Sequence, residues 1–488
     1  QGIVLVPEIS LTPQTVRRFG ERFPGKVAVM HSGLSTGEHF DMWHEVRAGK
    51  YDVVIGPRGA LFAPMPDVGL IVIDEEHEWT YKQQEGSPRY HARRAAVEFC
   101  RQTGAVLVLG SATPDVESRF HATDGTIRHL RLPDRLLRNN DGSVVPGPLP
   151  EVKVVDLREE LKAGNRSIFS RALYRSMEEV LESGEQMILF LNRRGTASFM
   201  QCRDCGFVPQ CRSCAVSLTY HEPDSLVCHY CRRTQRLPGR CPQCQGSRIR
   251  TVGLGTERVE EEVKQAFPGA RTVRWDRDVT RGRGAHEAIL SRFVAHEADV
   301  LIGTQMVAKG LDIPLVTLVG VISADVALHL PDFRSGERTF QILEQVAGRA
   351  GRGTKGGRVI IQTYTPDHYA VEAAAAHSYD ALYDREIELR RSLGYPPFGR
   401  LVQLTFAHTG ESYAQEQAAK MVHRLKSARD RLGVANLDIL GPSPAFVPRI
   451  RGRWRWNVLL RGSDPAIVLR DEPLPVGWTA DVDPVSLL

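Results

Sequence analysis

Leu70-Ile71-Val72-Ile73-Asp74-Glu75-Glu76-His77 is the stretch on which the fold turns. Four apolar residues, three of them β-branched, make a short buried strand that ends abruptly in three acids and a histidine. A parallel strand in an α/β sheet delivers its carboxyl-end residues to the crevice where ligands bind. There Asp74 can hold Mg²⁺ through its water shell, and Glu75 can orient an attacking water. Solvated acidic turns use the same letters, so the flanking segments must decide between the two.

Apolar runs at 3–6, 27–30 and 53–55 precede this strand and another follows at 106–109, each separated by helical stretches. That alternation implies βαβ units and a parallel sheet buried on both faces. Gly110-Ser111-Ala112-Thr113-Pro114 follows the last run, and the hydroxyls of Ser111 and Thr113 at a strand end suit a loop that senses phosphate. A second α/β unit has strands expected at 186–191, 272–275, 300–302, 315–321 and 357–363. Before its last strand lies Gln345-Val346-Ala347-Gly348-Arg349-Ala350-Gly351-Arg352. Arg349 and Arg352, three apart, share one helix face. Their planar guanidinium groups suit the γ-phosphate of a nucleotide held by the opposite lobe. The expected organisation is a first lobe at 1–125, a linker at 126–165 with one strand near 152–155, a second lobe at 166–370, and a small α+β domain at 371–488.

The 488 residues are too many for one core, and 42% hydrophobic with 25% charged is ordinary for a globular protein. A net charge of +5 does not by itself imply nucleic acid. The local Arg449-Ile450-Arg451-Gly452-Arg453-Trp454-Arg455-Trp456 is basic and aromatic, suited to a DNA fork or an acidic peptide, and equally to a strand with a solvated cationic face. No apolar run reaches the ~18 residues of a spanning helix. The chain opens on Gln1 inside an apolar run, which reads as a strand already under way, with the true start expected upstream.

Eight of the nine cysteines form four Cys-x-x-Cys pairs between 202 and 244. A secreted disulfide framework would scatter them, so metal-bound thiolates in a reducing cytosol are expected. Structural zinc takes four thiolates, giving two zinc ions per chain in an insertion at 200–246. Cys211/Cys214 and Cys228/Cys231 are separated by 13 residues, a comfortable ribbon hairpin, which leaves Cys202/Cys205 to Cys241/Cys244. His221 and His229 read as solvent-facing and Cys100 as a buried apolar residue.

Trp79-Thr80-Tyr81-Lys82-Gln83-Gln84 and Arg89-Tyr90-His91-Ala92-Arg93 interleave aromatics with cations, as unpaired bases and phosphates require. The competing reading is a helix and loop using Trp79 and Tyr81 as core anchors. Pro7 to Thr12, the acidic box running into Tyr81-Lys82-Gln83-Gln84, the Ser111–Pro114 loop, Leu191-Asn192-Arg193-Arg194-Gly195 and Gly303-Thr304-Gln305-Met306-Val307-Ala308-Lys309-Gly310 fall in order, with the cysteine array and the 345–352 box beside them. Together they resemble the superfamily 2 helicases and, among these, the bacterial primosomal replication-restart helicases, over essentially the whole chain.

The resemblance implies an α/β fold of two RecA-like parallel-sheet lobes, with the two-zinc cysteine module in the second and the α+β domain after it. It implies ATP-dependent 3′-to-5′ DNA unwinding at stalled forks, with Mg²⁺ and ATP. Implied partners are single-stranded DNA, primosome proteins, single-stranded-DNA-binding protein and the replicative helicase loader, in a bacterial cytoplasm near the nucleoid and without a membrane. By the same resemblance His77, Ser111, Thr113, Gln345, Gly310 and Asp312 couple ATP. Trp79, Tyr81, Lys82, Gln83, Arg89, Arg193, Arg194, Thr304 and Gln305 meet DNA, and nested zinc sites are also implied. Residues 56–62, Gly-Pro-Arg-Gly-Ala-Leu-Phe, depart from the family's GTRSA-like segment, and the phosphate loop GxTGSGKT is expected before residue 1. The chain alone is therefore expected to be inactive. The competing readings are a non-enzymatic primosome scaffold, an RNA helicase and a zinc-ribbon transcription factor.

Overall fold

The computed structural model describes residues 1–7, 13–138, 143–192, 199–221, 225–251, 255–276, 279, 285–304, 307, 315–351, 356–470 and 474–488. The chain divides into two compact units, Gln1–Arg128 and His129–Leu488.

In the first unit five strands form a parallel sheet in the order Val27–Val29, Val53–Gly56, Gly2–Leu5, Leu70–Ile73, Val106–Leu109. Ile3, Leu5, Val54, Ile71 and Ile73 make its centre, with Ala92 and Ala96 of the helix Ala92–Thr103 packed against them. Short side chains on that helix let it lie close to the sheet. The expected burial on both faces holds at every position only for Val53–Gly56, whereas Gly2–Leu5 and Leu70–Ile73 bury alternate residues and leave Leu70 41% exposed. Val106 and Val108, in register with Leu70 and Val72 on that same face, are 59% and 45% exposed.

The second unit holds a six-stranded parallel sheet in the order Thr272–Trp275, Val300–Gly303, Gln186–Phe190, Val316–Val321, Arg358–Thr363, Glu151–Asp156. Gln186–Phe190, Val300–Gly303 and Val316–Val321 are buried at every position, as near-continuous apolar strands covered on both faces should be. Glu151–Asp156, expected as a lone strand in the linker, is the edge strand of this sheet. The linker also carries an antiparallel hairpin, Arg135–Arg138 with Val144–Gly147.

The cysteine module leaves this sheet as a two-stranded stem, Met200–Cys202 with Ile249–Thr251. It carries a three-stranded hairpin at Thr219–His221, Ser225–Val227 and Thr234–Arg236. The C-terminal part is an antiparallel sheet ordered Asp438–Ile450, Arg453–Gly462, Arg400–His408, Trp478–Val482, with the helix Glu411–Leu432 across it. Arg451 and Gly452 form the tip between the two longest strands, both with positive φ. The basic aromatic segment is thus the end of a long hairpin.

Candidate functional site

Asp74 and Glu75 leave the carboxyl end of Leu70–Ile73, between Gly2–Leu5 and Val106–Leu109. The backbone N–H of Asp74 donates to the Leu5 carbonyl at 2.9 Å, continuing the sheet one residue past the strand. Glu75 then turns the chain with φ 47°, a left-handed conformation that costs a non-glycine residue roughly 1–2 kcal/mol. Its N–H donates to Asp74 Oδ1 at 3.1 Å. The surrounding protein raises the Asp74 pKa by desolvation, against the pull of that hydrogen bond and of His77. A carboxylate held this way gains from a nearby cation.

The acidic turn is fastened to the next strand end at several points. His77 Nδ1 and Ser111 Oγ are hydrogen-bonded at 2.7 Å, and Ser111 Oγ also accepts from the Thr113 N–H at 3.0 Å. The Glu76 N–H donates to Gly110 O at 3.0 Å. Buried Glu76 accepts from the Asp115 N–H at 2.7 Å, from Ser118 Oγ at 2.8 Å and from Arg93 Nη1 at 2.5 Å. A displacement of the 110–115 loop therefore pulls on the carboxylate pair.

The aromatic segment departs from expectation in two residues. Tyr81 and Lys82, expected to meet DNA, are 1% and 2% exposed. The Tyr81 hydroxyl lies 2.6 Å from Asp74 O and 3.0 Å from Leu5 O, the latter already accepting from the Asp74 N–H. Its ring is a core anchor beneath the acidic turn. Arg93 is likewise turned inward, bridging Glu76, Asp115 and Glu117. Trp79, Gln83 and Arg89 are half-buried and retain an open side. Arg58, in the segment that departs from the expected pattern, donates to Thr80 O at 2.9 Å and Lys82 O at 3.0 Å. It holds the aromatic turn from below, a role with no local sequence signal.

In the second unit Thr304 is half-buried immediately after Val300–Gly303. Gln345 is half-buried on the helix Ser335–Ala347, and Arg349 is half-buried in the turn that follows. Arg193, Arg194, Gln305, Gly310, Asp312 and Arg352 lie outside the described residues.

The eight cysteines fall into two clusters, Cys202/Cys205/Cys241/Cys244 and Cys211/Cys214/Cys228/Cys231, each with four sulfurs within 4.8 Å of one another. The grouping is the nested one. Sulfur pairs 202–244, 205–241 and 211–231 stand 3.7, 3.6 and 3.6 Å apart. Tetrahedral zinc with Zn–S ~2.3 Å puts its sulfurs about 3.8 Å apart, so these sets fit the ion. His229, read as solvent-facing, is buried, with Nδ1 donating to Pro444 O at 2.8 Å. It belongs to neither set.

Residues 1–120 match the DEAD/DEAH box helicase family and 249–354 the helicase conserved C-terminal domain. Residues 391–485 match the primosomal protein N C-terminal domain. The replication restart protein PriA of Bacillus subtilis is 49% identical over 94% of this chain and 56% of its own length. That of Treponema pallidum is 40% identical over 100% of this chain and 73% of its own length. The chain belongs to the PriA replication restart family. It spans little more than half the length of the Bacillus PriA. Among solved structures, S. cerevisiae Dbp5 bound to RNA and ADP BeF3 aligns over 80% of this chain and 81% of that one. The TM-score is 0.42 at 15% identity, too loose a likeness to carry an argument.

Within this PriA family member, one polar centre has no counterpart in the sequence reading. Asp325, fully buried, accepts from Gln201 Nε2 at 2.8 Å, Thr365 Oγ1 at 3.0 Å, Thr363 Oγ1 at 3.1 Å and the Tyr364 N–H at 3.1 Å. It ties the stem of the cysteine module to the end of the sheet. Among the described residues no helix is long and apolar enough to cross a membrane.

Proposed function

We propose that this chain is the motor and zinc portion of an ATP-dependent 3′-to-5′ DNA helicase of replication restart. It would act at stalled forks, with single-stranded-DNA-binding protein, primosome proteins and the replicative helicase loader as partners, in a bacterial cytoplasm. The observation that carries the reading is the bonded pair of strand ends, Asp74-Glu75 tied through His77–Ser111 and Glu76–Gly110 to the 110–115 loop. Such a linkage lets one loop report on the nucleotide held beside the other. Asp74 is the residue that would hold Mg²⁺, which supplies charge neutralisation at the β- and γ-phosphates. Glu75 orients water, and Arg349 and Arg352 are assigned the γ-phosphate. Trp79, Gln83 and Arg89 offer the open sides for single-stranded DNA, joined by Arg193, Arg194, Thr304 and Gln305. A non-enzymatic scaffold has no need of the carboxylate pair and its fastening.

No GxxxxGK[ST] occurs in these 488 residues. Phosphate-cradling amides and a lysine on the β/γ-phosphates are needed for tight nucleotide binding. The chain alone is therefore expected to show no DNA-stimulated ATP turnover, and the chain joined to a family phosphate loop is expected to gain it. ATPase assays with single-stranded DNA and with RNA test the proposal. Turnover by the 488-residue chain alone would sink the claim about its inactivity, and RNA-only stimulation of the joined chain would replace DNA by RNA.

Two zinc ions per chain are expected in the nested clusters. Chelation should melt the module while the lobe sheets persist, since metal supplies much of the stability of so small a unit. Elemental analysis giving one zinc, or circular dichroism showing global unfolding on chelation, would contradict this.

A further inference from the structure

The two cysteine clusters face different neighbours. Around the outer one, Gln201 precedes Cys202 and hydrogen-bonds buried Asp325 at 2.8 Å. Arg158 Nη1 donates to Cys205 O at 3.3 Å while pairing with Asp156 at the end of the edge strand. Gly206 has φ 80°, and a Cβ there would stand 2.3 Å from Tyr364 O, so backbone rests on backbone. Every one of these contacts reaches the carboxyl end of the six-stranded sheet.

Around the inner cluster, the Tyr395 hydroxyl donates to Cys214 O at 3.2 Å. His229 Nδ1 donates to Pro444 O at 2.8 Å, and Ser443 Oγ donates back to His229 O. The Arg232 guanidinium lies 5.0 Å from the Trp456 ring centre. Cys211, Cys214 and Cys228 share one apolar cluster with Leu401 and Leu459 of the C-terminal sheet. The motor side contributes here through Phe333, stacked on Tyr395 at 4.4 Å, whose N–H donates to the Tyr230 hydroxyl.

We infer that the two metal sites are separate joints, the outer seating the module on the end of the motor sheet and the inner seating it on the C-terminal domain. This rests on the reading that both clusters hold zinc, and assigns each site its own mechanical task. A closed tetrahedral site freezes the short loops that carry Gln201 and Cys205 on one side, and Cys214 and His229 on the other. Each metal thus organises the donors and acceptors of one contact. The C-terminal domain keeps further ties to the motor, such as Arg390 with Glu337 at 2.6 Å, so the expected effects are local.

The test uses the zinc-loaded 488-residue chain with Gln201→Ala and His229→Ala, neither of which removes a ligand. Zinc content and hydrogen exchange by mass spectrometry are read together. His229→Ala should raise exchange at 443–447 and 456–459 about five- to tenfold, the equilibrium factor of one well-formed buried hydrogen bond. It should leave 323–325 and 363–367 unchanged. Gln201→Ala should do the reverse, with two zinc ions retained in both variants. Loosening of both regions by either substitution, or of neither, overturns the two joints. The paired Cys202→Ser/Cys241→Ser variant should keep one zinc and a protected 443–447 segment, and loss of both metals from it also overturns the inference. Fewer than two zinc ions in the parent chain would instead overturn the metal reading on which it rests.

Discussion

Glu75→Gln, made in this chain joined to a phosphate loop, is expected to leave ATP binding nearly intact and to lower hydrolysis by about 10²–10⁴-fold, the range for a positioned general base. The substitution keeps the side chain's shape and removes the charge proposed to orient water. Glu75 stands in a left-handed turn at the strand end, with its carboxylate 3.7 Å from His77. Glu76, one residue on, should respond differently. Its carboxylate is buried among Arg93, Ser118 and the Asp115 N–H, so Glu76→Gln weakens an internal network and shows first as a lower Tm. Nucleotide binding, turnover and thermal melts on both variants separate the roles. Normal turnover by Glu75→Gln removes Glu75 from the chemistry, and a large Tm loss by Glu75→Gln would make it structural.

The second large effect belongs to Arg349 and Arg352. At least one of Arg349→Ala and Arg352→Ala should lose about 10³–10⁵ in turnover, the contribution of an arginine finger. A surface arginine would change stability by no more than about 0.5 kcal/mol and turnover hardly at all. DNA affinity should be preserved in both. Trp79→Ala gives the complementary expectation of basal hydrolysis kept and stimulation by single-stranded DNA lost. If both arginine variants hydrolyse ATP normally, the two-lobe motor reading fails at its most specific motif. If Trp79→Ala merely unfolds the chain, Trp79 joins Tyr81 as a core anchor.

What could be read from the residues was whatever is written locally. A short β-branched run bounded by acids gives Leu70–Ile73 and the turn after it, because an apolar strand and its polar end are both sequence patterns. Cysteine spacing gave the nested clusters because a tight Cys-x-x-Cys turn and a ribbon hairpin have fixed reach. Tyr81 could be read as a core anchor or as a DNA contact, and its acceptors, the Leu5 and Asp74 carbonyls on separate segments, decide for the core. Arg93 with Glu76, Gln201 with Asp325 and His229 with Pro444 are pairs between distant segments and leave no periodicity. The strand Glu151–Asp156 was expected near 152–155, but its place in the second sheet, paired with Arg358–Thr363, joins segments about 200 residues apart and leaves no local signal.

The nesting of the cysteine clusters has a bearing on the order in which the chain is assembled. The sulfur pair 211–231 spans 20 residues and the pair 202–244 spans 42. Loop closure becomes more costly with length, so the inner ring should close first and shorten the loop that the outer must close. Among the described residues Gln186–Phe190 pairs with Val300–Gly303 and Val316–Val321, which leave the ribosome after the whole cysteine segment. The module can therefore be finished, metal included, while its host sheet still lacks those strands. A chain synthesised in zinc shortage would instead carry a long unstructured loop between strands that must find each other, and its central sheet would form more slowly for that reason.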